Sequence, residues 1–466
     1  MKSEKCRPSL VARRSVTTRF GPPLTAHRSV STRIHCVQLT IEKLVYGGEG
    51  LARLAPDDNG PGKSVFVPFV LEGEQVEAEL TEQKPGFSRA RLDCVIEPAA
   101  DRIEPGCPYF QRCGGCHYQH TNYSNQLAIK ATVLKETLRR TAKIESPFKI
   151  LVHPSPEWNY RNRTRLKIQT EPEFALGYYR FRSHELLPVE KCPISSPLIN
   201  EAIAAVWEQG RNGKIPASVR EVELFSGHGD DSLLVEIYCA PGTPRAEARG
   251  IADIFSGSHP AVKGVCVFEQ VPANHGGDPV RLAGIGVESI TYQTKAHAYQ
   301  VSAGAFFQGN RFVVDELVGL VTEGASGKTA LDLYAGVGLF SAVLARSFAQ
   351  VIAVEASQTS YADLRHNCGL EVKAVRATTE KYLAQSAGLH PDLVVADPPR
   401  GGLGEKVVRH LARLGAPRIT YVSCDPSTLA RDLRTFVTLG YRIEGAHLID
   451  LFPQTFHIES VFHLTR

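Results

Sequence analysis

The chain has 466 residues, too many for one hydrophobic core, so two or three domains are expected. Apolar residues at 43% and charged residues at 22% exclude a wholly disordered or fibrous chain. The longest apolar runs, such as Val65 to Leu71, fall short of the ~18 residues a membrane helix needs, so no membrane partner is expected. The net charge of +4 is unevenly placed: residues 1–36 carry +7, which leaves −3 on the remaining 430. Any polyanion-binding surface on the folded body must therefore come from local clustering of charge.

Residues 1–36 are rich in Arg, Ser and Thr, contain Pro22-Pro23 and show no helical periodicity. They are expected to form a disordered basic leader; a transit peptide or a nucleic-acid-contacting arm has a similar composition. They lack the apolar block that export requires. Eleven cysteines, an odd number scattered along the chain, argue for reduced thiols in a cytoplasmic protein and against a disulfide scaffold.

Residues 37–97 alternate apolar and polar positions: Val37, Leu39 and Ile41, then Val65 and Val67, then Val76, Ala78 and Leu80, with Gly and Pro punctuation between. That pattern predicts a small OB-like β-barrel of the kind that binds single-stranded nucleic acid. Lys43, Arg53, Lys63, Lys84, Arg89 and Arg91 supply either a cationic binding face or ordinary solvated charge.

A central α+β domain is expected over 98–300. It opens with Cys107, Cys113 and Cys116 around the Gly114-Gly115 pair, and Cys192, followed by Pro193, is the best fourth ligand. Four thiolates bind tetrahedral zinc or a cubane iron–sulfur cluster; a single C-x2-C unit favours the cluster. Between these cysteines, Arg161, Arg163, Arg165 and Lys167 fall on one face if the segment is extended, and Tyr178 to Arg182 interleaves aromatics with cations. Such a surface suits phosphates and stacked bases, so it is expected to bind RNA.

Residues 301–466 read as an α/β, Rossmann-like domain. The strand Ala330 to Tyr334 leads into the glycine turn Ala335-Gly336-Val337-Gly338, and Leu339 to Phe348 has helical spacing. The next strand, Val351 to Val354, ends in Glu355, nineteen residues after Gly336 and placed to hold ribose hydroxyls. The turn lacks the third glycine of the dinucleotide fingerprint, and no Walker motif is present. S-adenosylmethionine therefore fits better than NAD or ATP. Two further strands end in Asp397-Pro398-Pro399-Arg400 and in Cys424-Asp425-Pro426, and a thiol at the carboxyl end of a parallel strand is poorly explained as core.

Together with Phe306 to Asn310 and Phe452 to Glu459, these motifs resemble the RNA uracil-C5 methyltransferases of the ribosomal type, which carry an N-terminal TRAM domain. The likeness spans residues 37–466. It implies a [4Fe-4S] cluster on Cys107, Cys113, Cys116 and Cys192, and S-adenosylmethionine contacts from Gln308, Tyr334, Glu355 and Asp397. It further implies Cys424 as nucleophile, Glu459 as general base, and 23S rRNA as substrate of a monomeric enzyme. Leu339, Thr378 and Gln454 depart from the family's usual residues. The same chemistry on tRNA, or an inert fold that only binds RNA, are the rival expectations.

Overall fold

The computed structural model describes residues 36–56, 62–145, 148–270 and 278–466. The basic leader and its expected disorder therefore lie outside the described residues, apart from Cys36. The chain divides into two compact units, residues 1–102 and 103–466.

In the first unit, six strands run β1 (Cys36–Thr40), β2 (Lys43–Val45), β3 (Glu49–Arg53), β4 (Ser64–Pro68), β5 (Gln75–Gln83) and β6 (Phe87–Glu97). They form one sheet in the order β1-β5-β6-β4-β3-β2. Its apolar positions, among them Leu39, Ile41, Val65, Val67, Val76 and Ala78, close on one another as the period-two reading requires. The cations named from sequence are largely paired here: Arg53 with Glu42, Lys84 with Glu82, Arg89 with Glu49 and Arg91 with Glu79.

The second unit opens with helix α1 (Tyr123–Thr137), capped by the Asn122 side chain, and strand β7 (Ile150–His153). A mixed sheet follows, built from β8 (Arg163–Gln169), β9 (Ala175–Tyr179), β10 (Leu186–Pro188), β11 (Val219–Ser226), β12 (Leu233–Cys239), β13 (Val262–Glu269) and β14 (Arg281–Gly286). Helices α2 (Pro197–Arg211) and α3 (Arg245–Ser256) bury their apolar faces, including Ile199, Ile203, Val206, Ile251 and Phe255, in its core.

On this sheet three of the four cations of the expected RNA stripe are held in ion pairs. β8 pairs antiparallel with β11, where acids alternate in the same period, so Arg163, Arg165 and Lys167 each meet a carboxylate, while Arg161 lies before the ladder. Arg163 pairs with Glu223 and, at 2.9 Å, with Glu236 of β12; Arg165 also reaches Glu223, and Lys167 reaches Glu221. The repulsion among like charges is relieved by a neighbouring strand rather than by a polyanion.

After the hairpin β15 (Ser289–Gln293) and β16 (Ala298–Ser302) and helix α4 (Val314–Thr322), the chain builds an eight-stranded sheet. Its elements are β17 (Gly327–Leu333), α5 (Ser341–Leu344), β18 (Phe348–Glu355), α6 (Gln358–Cys368), β19 (Val372–Arg376), α7 (Thr379–Ala384), β20 (Leu393–Ala396), α8 (Gly404–Leu414), β21 (Arg418–Ser423), α9 (Pro426–Thr438), β22 (Arg442–Ile449) and β23 (Glu459–Thr465). The order is β19-β18-β17-β20-β21-β23-β22-β7. All neighbours are parallel except β23, which runs antiparallel to both β21 and β22. The helix expected over Leu339 to Phe348 is only the single turn α5, because Phe348 already begins β18 with its ring buried.

Candidate active site

The sheet order decides which residues meet. β17, β20 and β21 present their carboxyl ends at one edge, and antiparallel β23 begins at that same edge. Tyr334 follows β17, Asp397 follows β20, Cys424 follows β21 and Glu459 opens β23. In the β21–β23 ladder Ser423 opposes Ser460, and the Ser460 hydroxyl donates to the Ser423 carbonyl at 3.2 Å. A sequence separation of 37 residues between Ser423 and Ser460 is thereby closed to neighbours in space.

Cys424 sits in the sharp turn between β21 and α9. Asp425 caps that helix, accepting the Ser427 and Thr428 N–H groups at 2.9 and 3.0 Å, and Pro426 fills its first turn. Burial pushes the Cys424 thiol up to about 12; the charges of Glu459 and Asp397 add to this and Arg400 opposes them. Glu459 is 6% exposed, and burial followed by Asp397 holds its carboxyl well above the usual range. Burial raises Asp397 to about 7. Three acidic groups therefore share one poorly solvated pocket, with Arg400 as the cation beside the thiol. The Arg400 guanidinium also lies 3.5 Å from His457, whose pKa falls to about 3 through burial and then Arg400, so the imidazole stays neutral.

The glycine turn has the backbone its sequence demands. Gly336 and Gly338 take φ of +56° and +92°, and Tyr334, a non-glycine, stands at +60°. The Glu355 carboxylate does not simply await a ligand. It accepts the Gly336 N–H at 2.8 Å and the Ser357 N–H at 2.7 Å, fixing the turn against the end of β18. Each oxygen keeps acceptor capacity for a ribose hydroxyl. Gln308 is buried, while Phe306, two residues earlier, is 67% exposed. Asn310 closes this run by donating to Ser155 and to the Leu451 carbonyl.

Sequence reasoning missed several supports. Asp332, inside β17, is fully buried, accepts the Ser341 hydroxyl and is raised to about 7 by burial. Gln454 adopts φ of +68°; its side-chain oxygen accepts from the Gln126 amide of α1, its backbone N–H donates to the Gln126 oxygen, and its backbone carbonyl accepts the His117 and Tyr118 N–H groups. Lys130 and Asp450, each 1% exposed, pair at 2.7 Å, and Lys130 also donates to the Phe452 carbonyl. The loop leading to Glu459 is thus clamped to α1 and to the segment that follows Cys116. A lone Gln or Lys in a helix carries no local signal of such a role.

Cys107, Cys113, Cys116 and Cys192 all line one cavity of about 60 Å³. Burial raises the thiols of Cys107, Cys113 and Cys116, the Cys113 value to about 11, with Cys192 adding to each. Among the described residues no group of three or more His, Cys, Asp or Glu is arranged to hold a metal ion.

The tRNA (uracil-5-)-methyltransferase family profile matches residues 285–466, and the TRAM domain profile matches residues 35–92. An "uncharacterized RNA methyltransferase" of Aquifex aeolicus is 34% identical over 433 residues, covering 91% of this chain and 97% of the relative. The chain belongs to the S-adenosylmethionine-dependent RNA uracil-5 methyltransferase family, with a TRAM domain at its N-terminal side. A Streptomyces coelicolor relative of the same description is 33% identical, with 91% of each chain covered. The crystal structure of Pyrococcus abyssi tRNA (uracil-54, C5)-methyltransferase with S-adenosyl-L-homocysteine is similar over 92% of this chain and 99% of that one, at TM-score 0.72 and 25% identity. The family is enzymatic and uses S-adenosylmethionine, so the rival of an inert RNA-binding fold is set aside. No helix among the described residues is long and apolar enough to cross a membrane.

Proposed function

We propose that this enzyme methylates C5 of one uridine in 23S rRNA, as a cytoplasmic monomer, with Cys424 as nucleophile and Glu459 as general base. The observation that carries the reading is the Ser423–Ser460 register, which brings a thiol and a buried carboxylate to the same sheet edge. C5 of uracil is a poor nucleophile. Addition of the Cys424 thiolate at C6 makes C5 carbanionic, and C5 then takes the methyl group. S-adenosylmethionine supplies that methyl on a sulfonium. Glu459 next removes the C5 proton; the electrons of that C–H bond re-form the C5–C6 double bond and expel the Cys424 sulfur. Gln308, Tyr334, Glu355 and Asp397 are assigned to the cofactor. The base must leave its stack to enter the pocket, and the exposed Phe306 ring beside Gln308 is suited to receive it.

The four-cysteine cavity fits a [4Fe-4S] cluster better than zinc. Zinc draws four sulfurs to one point at ~2.3 Å, whereas a cubane spreads its thiolates around a volume. Cys107, Cys113, Cys116 and Cys192 would hold it, with a structural effect on the loop before His117. The domain reading remains a TRAM barrel over 37–97, a cluster-bearing domain over 98–300 and a methyltransferase domain over 301–466. A second reading is uridine in tRNA, favoured by the likeness to the P. abyssi enzyme. Methyl transfer from S-adenosylmethionine to unmodified 23S rRNA and tRNA transcripts, with nucleoside digests of both RNAs from a deletion strain, decides between them. Methylated 23S rRNA alone supports the first reading, methylated tRNA alone the second, and transfer to neither overturns both.

A further inference from the structure

The cations of β8 divide in a way their sequence does not. Arg163, Arg165 and Lys167 each meet a carboxylate of β11 or β12. Arg161 precedes them by one more step of the same alternation, but the ladder with β11 ends at the Arg163–Phe225 pair. Arg161 instead lines the cavity walled by Cys107, Cys113, Cys116 and Cys192. The largest influences on its charge are burial, then Tyr160, Tyr178, Cys192 and Cys116. The Arg161 backbone is locked to the same place: its N–H donates to the Ile194 carbonyl and its carbonyl accepts the Ser196 N–H, both at 2.8 Å.

A cation beside this four-cysteine cavity is costly to bury unless an opposite charge pairs with it. Four thiolates around an iron–sulfur core carry net negative charge and would supply that partner. We propose that Arg161 is the counter-charge of the thiolate-bound centre, and that it sets the centre's retention and reduction potential. This rests on the cluster reading above. Removing a neighbouring positive charge disfavours the added electron, so the potential falls, and it weakens the hold on the anionic centre.

The test uses the full chain, purified without oxygen, as wild type, Arg161→Lys, Arg161→Gln and Arg161→Met. Iron and zinc are quantified, iron release to a chelator is timed, and the midpoint potential is titrated with detection by electron paramagnetic resonance. Affinity for S-adenosylhomocysteine serves as the control for folding. The neutral variants should shift the oxidised-to-reduced ratio about tenfold toward oxidised, about 59 mV for one electron, and release iron faster. Arg161→Lys should stay within about threefold of wild type, because it keeps the charge. Two neutral variants with different shapes separate the loss of charge from a failure of one of them to fold. Iron-loaded neutral variants with wild-type potential and retention overturn the proposal alone. A wild type that binds no iron overturns the cluster reading, and the proposal with it.

Discussion

Cys424 and Glu459 stand one position beyond a register pair: Ser423 opposes Ser460 across the antiparallel β21–β23 ladder, so the residue after one and the residue before the other meet at the sheet edge. Every other pairing among β17, β18, β19, β20 and β21 is parallel. The one reversed strand is what lets a residue at the start of a strand join residues at the ends of others. Burial raises both carboxyls, Asp397 to about 7 and Glu459 well above its usual range with Asp397 adding to it, and it raises the Cys424 thiol to about 12. Substrate and the cofactor's sulfonium must change that balance before the chemistry starts.

The cations of β8 should matter little for RNA. Arg165→Gln and Lys167→Gln remove charges that Glu223 and Glu221 already neutralise. Each should change RNA affinity by less than about twofold and leave the slope of log affinity against log salt unaltered, since that slope counts phosphates neutralised. A loss of about one unit of slope in filter binding would mean the ladder opens to admit phosphates.

The difference between the expected stripe and the observed ladder marks what the sequence can reveal. The chemistry-bearing residues were legible because each follows a short buried apolar run: Leu393 to Ala396 before Asp397, and Ile419 to Ser423 before Cys424. The acids Glu221 and Glu223 alternate with Val222 and Leu224 in a readable strand pattern, yet nothing local says that this strand pairs with Arg163 to Lys167 some sixty residues earlier. The clamp from Gln126 and Lys130 to Gln454 and Asp450 spans more than three hundred residues, so no periodicity reports it. Helix α5 was overestimated because small apolar residues from Leu339 onward fit helix and buried turn equally.

Glu355→Ala should weaken S-adenosylhomocysteine binding by about 1.5–3 kcal/mol, read by calorimetry. The substitution removes the acceptor proposed for ribose and also frees the Gly336 and Ser357 N–H groups that hold the turn. Glu355→Gln keeps one carbonyl oxygen and should lose less. Equal affinity for all three proteins removes Glu355 from the cofactor site.

Asp332 gives a pH signature. In the unfolded chain its carboxyl titrates near ~3.9. In the folded protein, burial raises it to about 7. The folded state therefore binds the proton more tightly, so the group favours folding below about pH 4 and loses that contribution as the pH climbs toward 7. Asp332→Asn has no proton to lose and keeps an acceptor for the Ser341 hydroxyl. It should be more stable than wild type at pH 8 by about 1–3 kcal/mol, with the gap closing near pH 4. Urea unfolding across that range checks it; a gap independent of pH refutes the assignment.

Lys130→Met strands a buried carboxylate. Asp450 would keep only the Tyr123 hydroxyl at 3.0 Å, and the Phe452 carbonyl would lose its donor. Breaking such a pair from one side costs about 3–5 kcal/mol, while replacing both partners with apolar groups recovers much of it. Denaturation of Lys130→Met and of Lys130→Met/Asp450→Leu should show that ordering. Because the same loop leads to Glu459, turnover should fall in both.

The decisive prediction separates nucleophile from base. Cys424→Ala should lose at least about 10³-fold in turnover and form no covalent complex with RNA, because it removes the proposed nucleophile for C6. Glu459→Gln should lose about 10²–10⁴-fold, but by a different route. Addition and methyl transfer need no carboxylate; removal of the C5 proton does. Without it the Cys424 sulfur cannot be expelled, so methylated RNA stays bonded to the protein and migrates with it in denaturing electrophoresis. Wild-type enzyme given 5-fluorouridine RNA should trap the same kind of adduct, since fluorine at C5 cannot leave as a cation. Mass spectrometry of the digested adduct should place the nucleotide on Cys424. Free methylated product from Glu459→Gln at an undiminished rate would assign the base elsewhere, with Asp397 as the nearest carboxyl to test. Methylation by Cys424→Ala would exclude addition and elimination altogether.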